Sequence, residues 1–193
     1  MLLRATLSCL ALLAPLAVQA GTYDADPVHS SVAFEVTHMV ISKVRGEFER
    51  FVGIAEIEEG VLQRVRAAVQ IDSVDTGDVK RDMHLLSADF FDAETHPGMT
   101  FQSTAITPNG GGFTMVGDLT IRGITQSVTF AVEPLNGPVR DLSKRERYGT
   151  RATATINRKA FGIHWNQALD EGGLVVGEEV TIILDMALVD NAS

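Results

Sequence analysis

Apolar residues occupy every second position along much of this chain, the spacing of strands with one buried face. In RVRAAVQIDS, Val65, Ala67, Val69 and Ile71 take one side while Arg64, Arg66, Gln70 and Asp72 take the other. Tyr148, Thr150, Ala152, Ala154 and Ile156 repeat the pattern, as do Val180, Ile182, Leu184, Met186 and Leu188. Less regular runs cover Val28–His38, Gly46–Ile57, Met99–Ile106, Phe113–Ile121 and Gln126–Glu133. Asn109-Gly110-Gly111-Gly112, Arg122-Gly123 and Asn136-Gly137-Pro138 punctuate them with turn chemistry. About eight strands joined at hairpin spacing predict an antiparallel barrel or sandwich. Val116, Ile183 and Val189 sit on otherwise polar faces, which a small barrel partly covered by a helix, or a sandwich, would explain.

A single stretch carries a helical period. Asp78 is placed to cap it, and Val79, Met83, Leu86 and Phe90 follow at helical spacing, predicting a helix over about 78–91 that packs through this stripe. The same stretch, RDMHLLSADFFDAETHP, is rich in histidine and carboxylate. At about 100° per residue, an uninterrupted helix separates His84 from Asp82 and Asp89 by well over a quarter turn, too far to share one ion. Carboxylates bunched on one flank read as a solvated face, and Asp78 and Asp82 also complement the helix dipole. His96 lies beyond the helix, and there is no H-E-x-x-H pattern. No G-x-S-x-G elbow, Walker loop or dinucleotide fingerprint is present, and His29, His38 and His164 stand as single histidines.

The N-terminus changes the picture of where the protein works. MLLRATLSCLALLAPLAVQA has one positive charge, Arg4, then an apolar run, and ends with small residues at Val18 and Ala20. It reads as a secretory leader over residues 1–20, cleaved before Gly21, with Pro15 interrupting any membrane-spanning reading. The expected product is one exported domain, residues 21–193, without stable membrane insertion. The chain's one cysteine, Cys9, goes with the leader, which removes cysteine nucleophiles and cysteine-based zinc sites. Losing Arg4 takes the formal charge from −9 to −10, which disfavours nucleic acid and anionic membrane surfaces as partners.

Six segments, in order, resemble the YceI-like polyisoprenoid-binding proteins: DADPVHSSVAFEVTHM, VRGEF, IDSVDTGDVKRDMHLLSADFFDAETHP, FQST, GDLTIRGITQSVTF and INRKAFGIHWN. They cover nearly all of residues 21–193. The resemblance implies a mainly β fold: an eight-stranded antiparallel lipocalin-like barrel whose apolar interior holds a long isoprenoid chain. It implies an exported, periplasmic protein without catalytic activity, and no cofactor beyond a bound lipid such as a polyprenyl phosphate or isoprenoid quinone. Within the matching motifs, Phe34, His38, Phe48, Arg81, His84, Phe90, Phe91, Phe101 and Trp165 are the candidate ligand-binding residues. Arg81 or His84 at a barrel mouth could donate hydrogen bonds to a phosphate or quinone oxygen, the alternative for Arg81 being a salt bridge near its own helix. Asn157-Arg158 reads as structural, satisfying strand-end carbonyls and carboxylates.

Two other functions fit the residues. One is an exported hydrolase working through His84 and the helix carboxylates. The other is a stress-response or interaction module with a solid barrel and no ligand. An exposed apolar strand face would favour a homodimer.

Overall fold

The computed structural model describes residues 20–170 and 172–191. The predicted leader, apart from Ala20, lies outside them. Among the described residues, twelve strands, one α-helix and two 3₁₀ turns, Ile71–Ser73 and Arg158–Phe161, make up the fold. In chain order they are β1 (Gly21–Ala25), β2 (Ser31–His38), β3 (Ser42–Phe48), β4 (Phe51–Glu58), β5 (Val61–Gln70) and β6 (Val74–Asp75). Helix α1 (Val79–Leu86) is followed by β7 (Gly98–Asn109), β8 (Gly112–Ile121), β9 (Ile124–Val132), β10 (Asn136–Arg140), β11 (Glu146–Asn157) and β12 (Val176–Asp190).

Eight strands close on themselves in the order β11-β9-β8-β7-β5-β4-β1-β12, with β12 pairing back to β11. This is the predicted antiparallel barrel, and the sandwich alternative falls away. Closure depends on the length of β12, which pairs with β11 from Glu179 to Val189. Its other edge takes β1 near Leu188 and β2 from Val176 to Asp185. β3 and β6 extend the sheet beyond β2, and β10 adds to the early part of β11.

The alternation read in the sequence points inward as expected. Phe113, Met115, Leu119 and Ile121 of β8 are buried, facing Val128, Phe130 and Val132 of β9 and Ala152 and Ala154 of β11. Two bulges shift the phase. The register of β4 and β5 slips between Glu56 and Ile57, leaving Gln63 unpaired and turning Leu62 inward beside odd-numbered Val65, Ala67 and Val69. A second slip leaves Thr104 unpaired, so Met99 and Phe101 face in from odd positions and Ile106 from an even one. The Ser103 hydroxyl accepts from the Val65 N–H at 2.9 Å, tying the two irregular strands together. At the closed end, the buried rings of Tyr23 and Tyr148 meet edge to face at 5.3 Å.

The helix differs from its prediction. Asp78 caps it as expected, accepting from the Arg81 N–H at 2.9 Å, but α1 stops at Leu86 instead of continuing to Phe91. Ser87 closes the last turn through His84 O, and the chain folds back, with the Phe91 and Ala93 N–H groups donating to Leu85 O and Leu86 O. Only half of the predicted stripe packs: Val79 is 75% and Met83 67% exposed, while Leu86, with Leu85, is half-buried against the core and Phe90 is buried beyond the helix. Asp82 sets this orientation. Its carboxylate accepts from both the N–H and the hydroxyl of Thr76, at 3.0 and 2.6 Å, so a residue read as solvated anchors α1 to the turn that follows β6.

Candidate ligand-binding site

A cavity of about 530 Å³ runs inside the barrel. Its walls come from the inward faces of the strands: Phe34 and Val36 of β2, Val65 and Val69 of β5, Phe101 of β7, Met115 of β8 and Ile182 to Leu188 of β12. Small residues keep the centre open, among them Ala67 and Ala152. The volume lies within the range of small-ligand pockets, which are characteristically apolar with a few placed polar groups. Here most of those groups gather at one end, where Thr37, His38, Lys80, Arg81, His84 and Arg158 join the lining. Lys80 and Arg81 are also exposed, so this end is the mouth.

All nine residues picked from the sequence line this cavity. Phe34, Phe48 and Phe91 form a run of rings, 5.7 Å from Phe34 to Phe48 and 5.8 Å from Phe48 to Phe91. Gly46 makes room for it, since a Cβ there would meet the Phe34 ring and the Thr76 methyl. Phe101 packs edge to face on Phe130 deeper inside, at 5.2 Å. His84, Phe90 and Trp165 form a second cluster at the mouth, with His84 standing edge to face on both partners at 4.9 and 4.8 Å.

The His84 ring is also held from outside. Its Nε2 lies 2.9 Å from Asp89 Oδ2, although an uninterrupted helix would have kept the two apart. They meet because α1 ends at Leu86 and the following turn brings Asp89 back over it. With the neutral ring donating from Nε2, Nδ1 is left as an acceptor, and the protonated ring donates from both nitrogens. The pair can thus engage a hydroxyl or an anionic oxygen at the mouth. The Ser87 hydroxyl is committed to His84 O rather than to the ring. Arg81 makes no carboxylate salt bridge among the described residues. It donates instead to the Thr76 hydroxyl and carbonyl, each at 2.7 Å.

Arg158 has the structural role read from the sequence. It is 4% exposed, and its guanidinium donates to the carbonyls of Gly177 at 2.8 Å, Ile163 at 3.0 Å and Trp165 at 2.8 Å. Burial pushes its pKa down, partly offset by the charge of Glu178. Asn157 caps the following 3₁₀ turn by accepting from the Lys159 N–H. Sequence reasoning did not assign Lys80 or Arg158 to the lining, nor the faces of β5 and β12. The strand faces were visible as alternation; the cations carried no signal of their own. Among the described residues, no group of three or more histidine, cysteine, aspartate or glutamate side chains could hold a metal, and no helix is long and apolar enough to cross a membrane.

Comparison with known proteins places this geometry in context. The family described as YceI-like domain matches residues 23–188. A UPF0312 protein of Staphylococcus aureus strain N315 is 38% identical over 158 residues, covering 80% of this chain and 90% of the relative. Among solved structures, Burkholderia cenocepacia BcnA superposes with a TM-score of 0.70 at 25% identity, covering 84% of this chain and 98% of that one. A polyisoprenoid binding domain from Saccharophagus degradans gives a TM-score of 0.60 at 13% identity, covering 87% and 98%.

Proposed function

This chain belongs to the YceI-like family, and on that premise we propose that it is an exported, non-catalytic carrier of a long isoprenoid lipid. The observation that carries the reading is the cavity of about 530 Å³, apolar along its length and polar at its mouth. A prenyl chain is apolar along its length and ends in a polar group, so the two match end for end. Burying apolar surface returns roughly 25 cal/mol per Å², enough to hold such a chain without specific chemistry along the tail. The Saccharophagus degradans neighbour, a polyisoprenoid binding domain, supports the ligand class. The expected leader supports delivery to the periplasm.

The polar end is where a phosphate or a quinone oxygen would sit. His84, oriented by Asp89, and the exposed cations Lys80 and Arg81 are the groups that would meet it. The tail would lie along Phe34, Phe48, Phe91 and Phe101, with His38, Phe90 and Trp165 around its exit.

Trp165 is the only tryptophan of the chain and lines the cavity, so its fluorescence reports occupancy directly. Titration with prenyl phosphates and isoprenoid quinones of increasing length should give saturable changes whose affinity rises with each isoprene unit until the cavity is full. Ala152→Phe, which fills the centre, should abolish the response in a folded protein. A response independent of chain length, or one that survives Ala152→Phe, would sink the carrier reading.

A further inference from the structure

Exposed apolar side chains crowd the mouth of the cavity. Twelve large hydrophobic residues are exposed among the described residues, and six of them come from three segments at this end: Met39, Val40 and Ile41, Val79 and Met83, and Leu174. Each segment adjoins the lining. Thr37 and His38 precede the first, Lys80 and His84 follow Val79 and Met83 along α1, and Val175 follows Leu174; all five of these neighbours line the cavity. The first and third segments are joined by the Met39 N–H donating to Val175 O at 2.8 Å.

The β2–β3 tip is the most pointed of the three. The Ile41 N–H donates to His38 O at 3.3 Å, closing a turn whose central residues, Met39 and Val40, have φ of 50° and 68°. Such a turn favours Asn-Gly, and a β-branched residue there is strained. Instead it carries Met-Val, and Ile41 beside it is 89% exposed. The hairpin tips at the opposite end of the barrel, Glu59-Gly60 and Gly110-Gly111, have ordinary turn residues.

We propose that this ring of apolar tips docks the mouth of the barrel onto a lipid surface, so that cargo passes between bilayer and cavity without crossing water. The inference rests on the carrier reading, because a prenyl chain has its reservoir in a bilayer. Three separate tips around an opening suit insertion between headgroups. Lys80, which has no ion-pair partner among the described residues, and Arg81 stand beside Val79 and Met83, placed for lipid phosphates as apolar residues bury below them. The acidic charge of the chain as a whole points to a zwitterionic surface rather than an anionic one.

Flotation with phosphatidylcholine–phosphatidylethanolamine vesicles tests this, comparing the mature chain with the double variant Ile41→Asp/Met83→Asp and with Leu142→Asp, exposed in the β10–β11 loop. Both targets of the double variant are exposed, so folding should survive. Wild type and Leu142→Asp should float, while the double variant should lose about tenfold or more in vesicle affinity. Binding of a fluorescent farnesyl probe delivered from cyclodextrin should be the same in all three. Failure of wild type to float, or equal flotation of the double variant, would overturn the proposal. So would light scattering that finds a dimer split by the double substitution, which would assign the surface to a second copy. Flotation without farnesyl binding would instead overturn the carrier reading and leave the docking surface standing.

Discussion

Replacing Arg158 with methionine should loosen the loop that carries Trp165 and cost the protein much of its stability. The guanidinium donates to four carbonyls, three at 2.8 to 3.0 Å and Val176 O at a weaker 3.4 Å, joining the 3₁₀ turn and the Ile163–Trp165 segment to the start of β12. Methionine keeps most of the apolar stem but strands those acceptors. A hydrogen bond to a charged group is worth about 1.5–3 kcal/mol net, so the three shorter ones would total roughly 6 kcal/mol. Against this stands the cost of burying the charge, visible in the downward pKa push on Arg158. Returning about half leaves a loss of about 3 kcal/mol, or roughly 6–12 °C in Tm for a chain of this size. Urea unfolding followed by Trp165 fluorescence measures the loss, and the native emission should shift to longer wavelength as the His84–Phe90–Trp165 cluster opens. Arg158→Lys should fare little better, because the donors of an ammonium sit on one nitrogen and cannot span carbonyls that meet all three guanidinium nitrogens. A methionine variant within about 0.5 kcal/mol of wild type would refute the reasoning. It would mean that burying the charge costs as much as its hydrogen bonds return.

Three further outcomes follow from side chains away from the mouth. The Arg147 hydrogen bond, with His29 in support, holds the Asp26 carboxyl well below its usual range, so its contribution is present above the ordinary aspartate pKa and is lost as pH falls. Acid titration by circular dichroism should show that slope flattened in Asp26→Asn, which should also be about 2 kcal/mol less stable at neutral pH. Burial, then the neighbouring Tyr148 and Glu146, pushes the Tyr23 pKa up to about 12, so its contribution is complete below about pH 10 and lost between there and 12. Stability in that alkaline window should fall less steeply for Tyr23→Phe. Gly117→Ala should cost about 1–3 kcal/mol in urea unfolding, because the added methyl would overlap the Phe101 ring and the Gln102 carbonyl.

The strands were legible because each half-buried face writes its own period into the sequence. Ala152 and Ala154 could be placed on one face from pattern alone; Leu62 and Ile106 could not, because a bulge inserts one residue without a mark in composition. Barrel and sandwich share the same alternation. Only the non-local pairing of β12 with both β11 and β1 decides between them. The helix ends earlier than its period predicts for a different reason: Phe90 continues the spacing of Val79, Met83 and Leu86 by coincidence, although the chain leaves the helix at Ser87. Its reversal passes through Asp92, with φ 51°, rather than through a glycine or proline that would have announced it. That hidden turn is also why His84 and Asp89 were read as distant. The aromatic lining was found through motif resemblance, and the cavity it encloses depends on small residues such as Ala67 and Ala152 that no single position advertises.

Organic extraction of the protein purified from the cells that make it, followed by mass spectrometry, tests the central claim most directly. The account predicts an isoprenoid lipid released in stoichiometric amount by wild type and absent from Ala152→Phe. Extracts without lipid, from a protein that also fails to take up added prenyl phosphates or quinones, would contradict it.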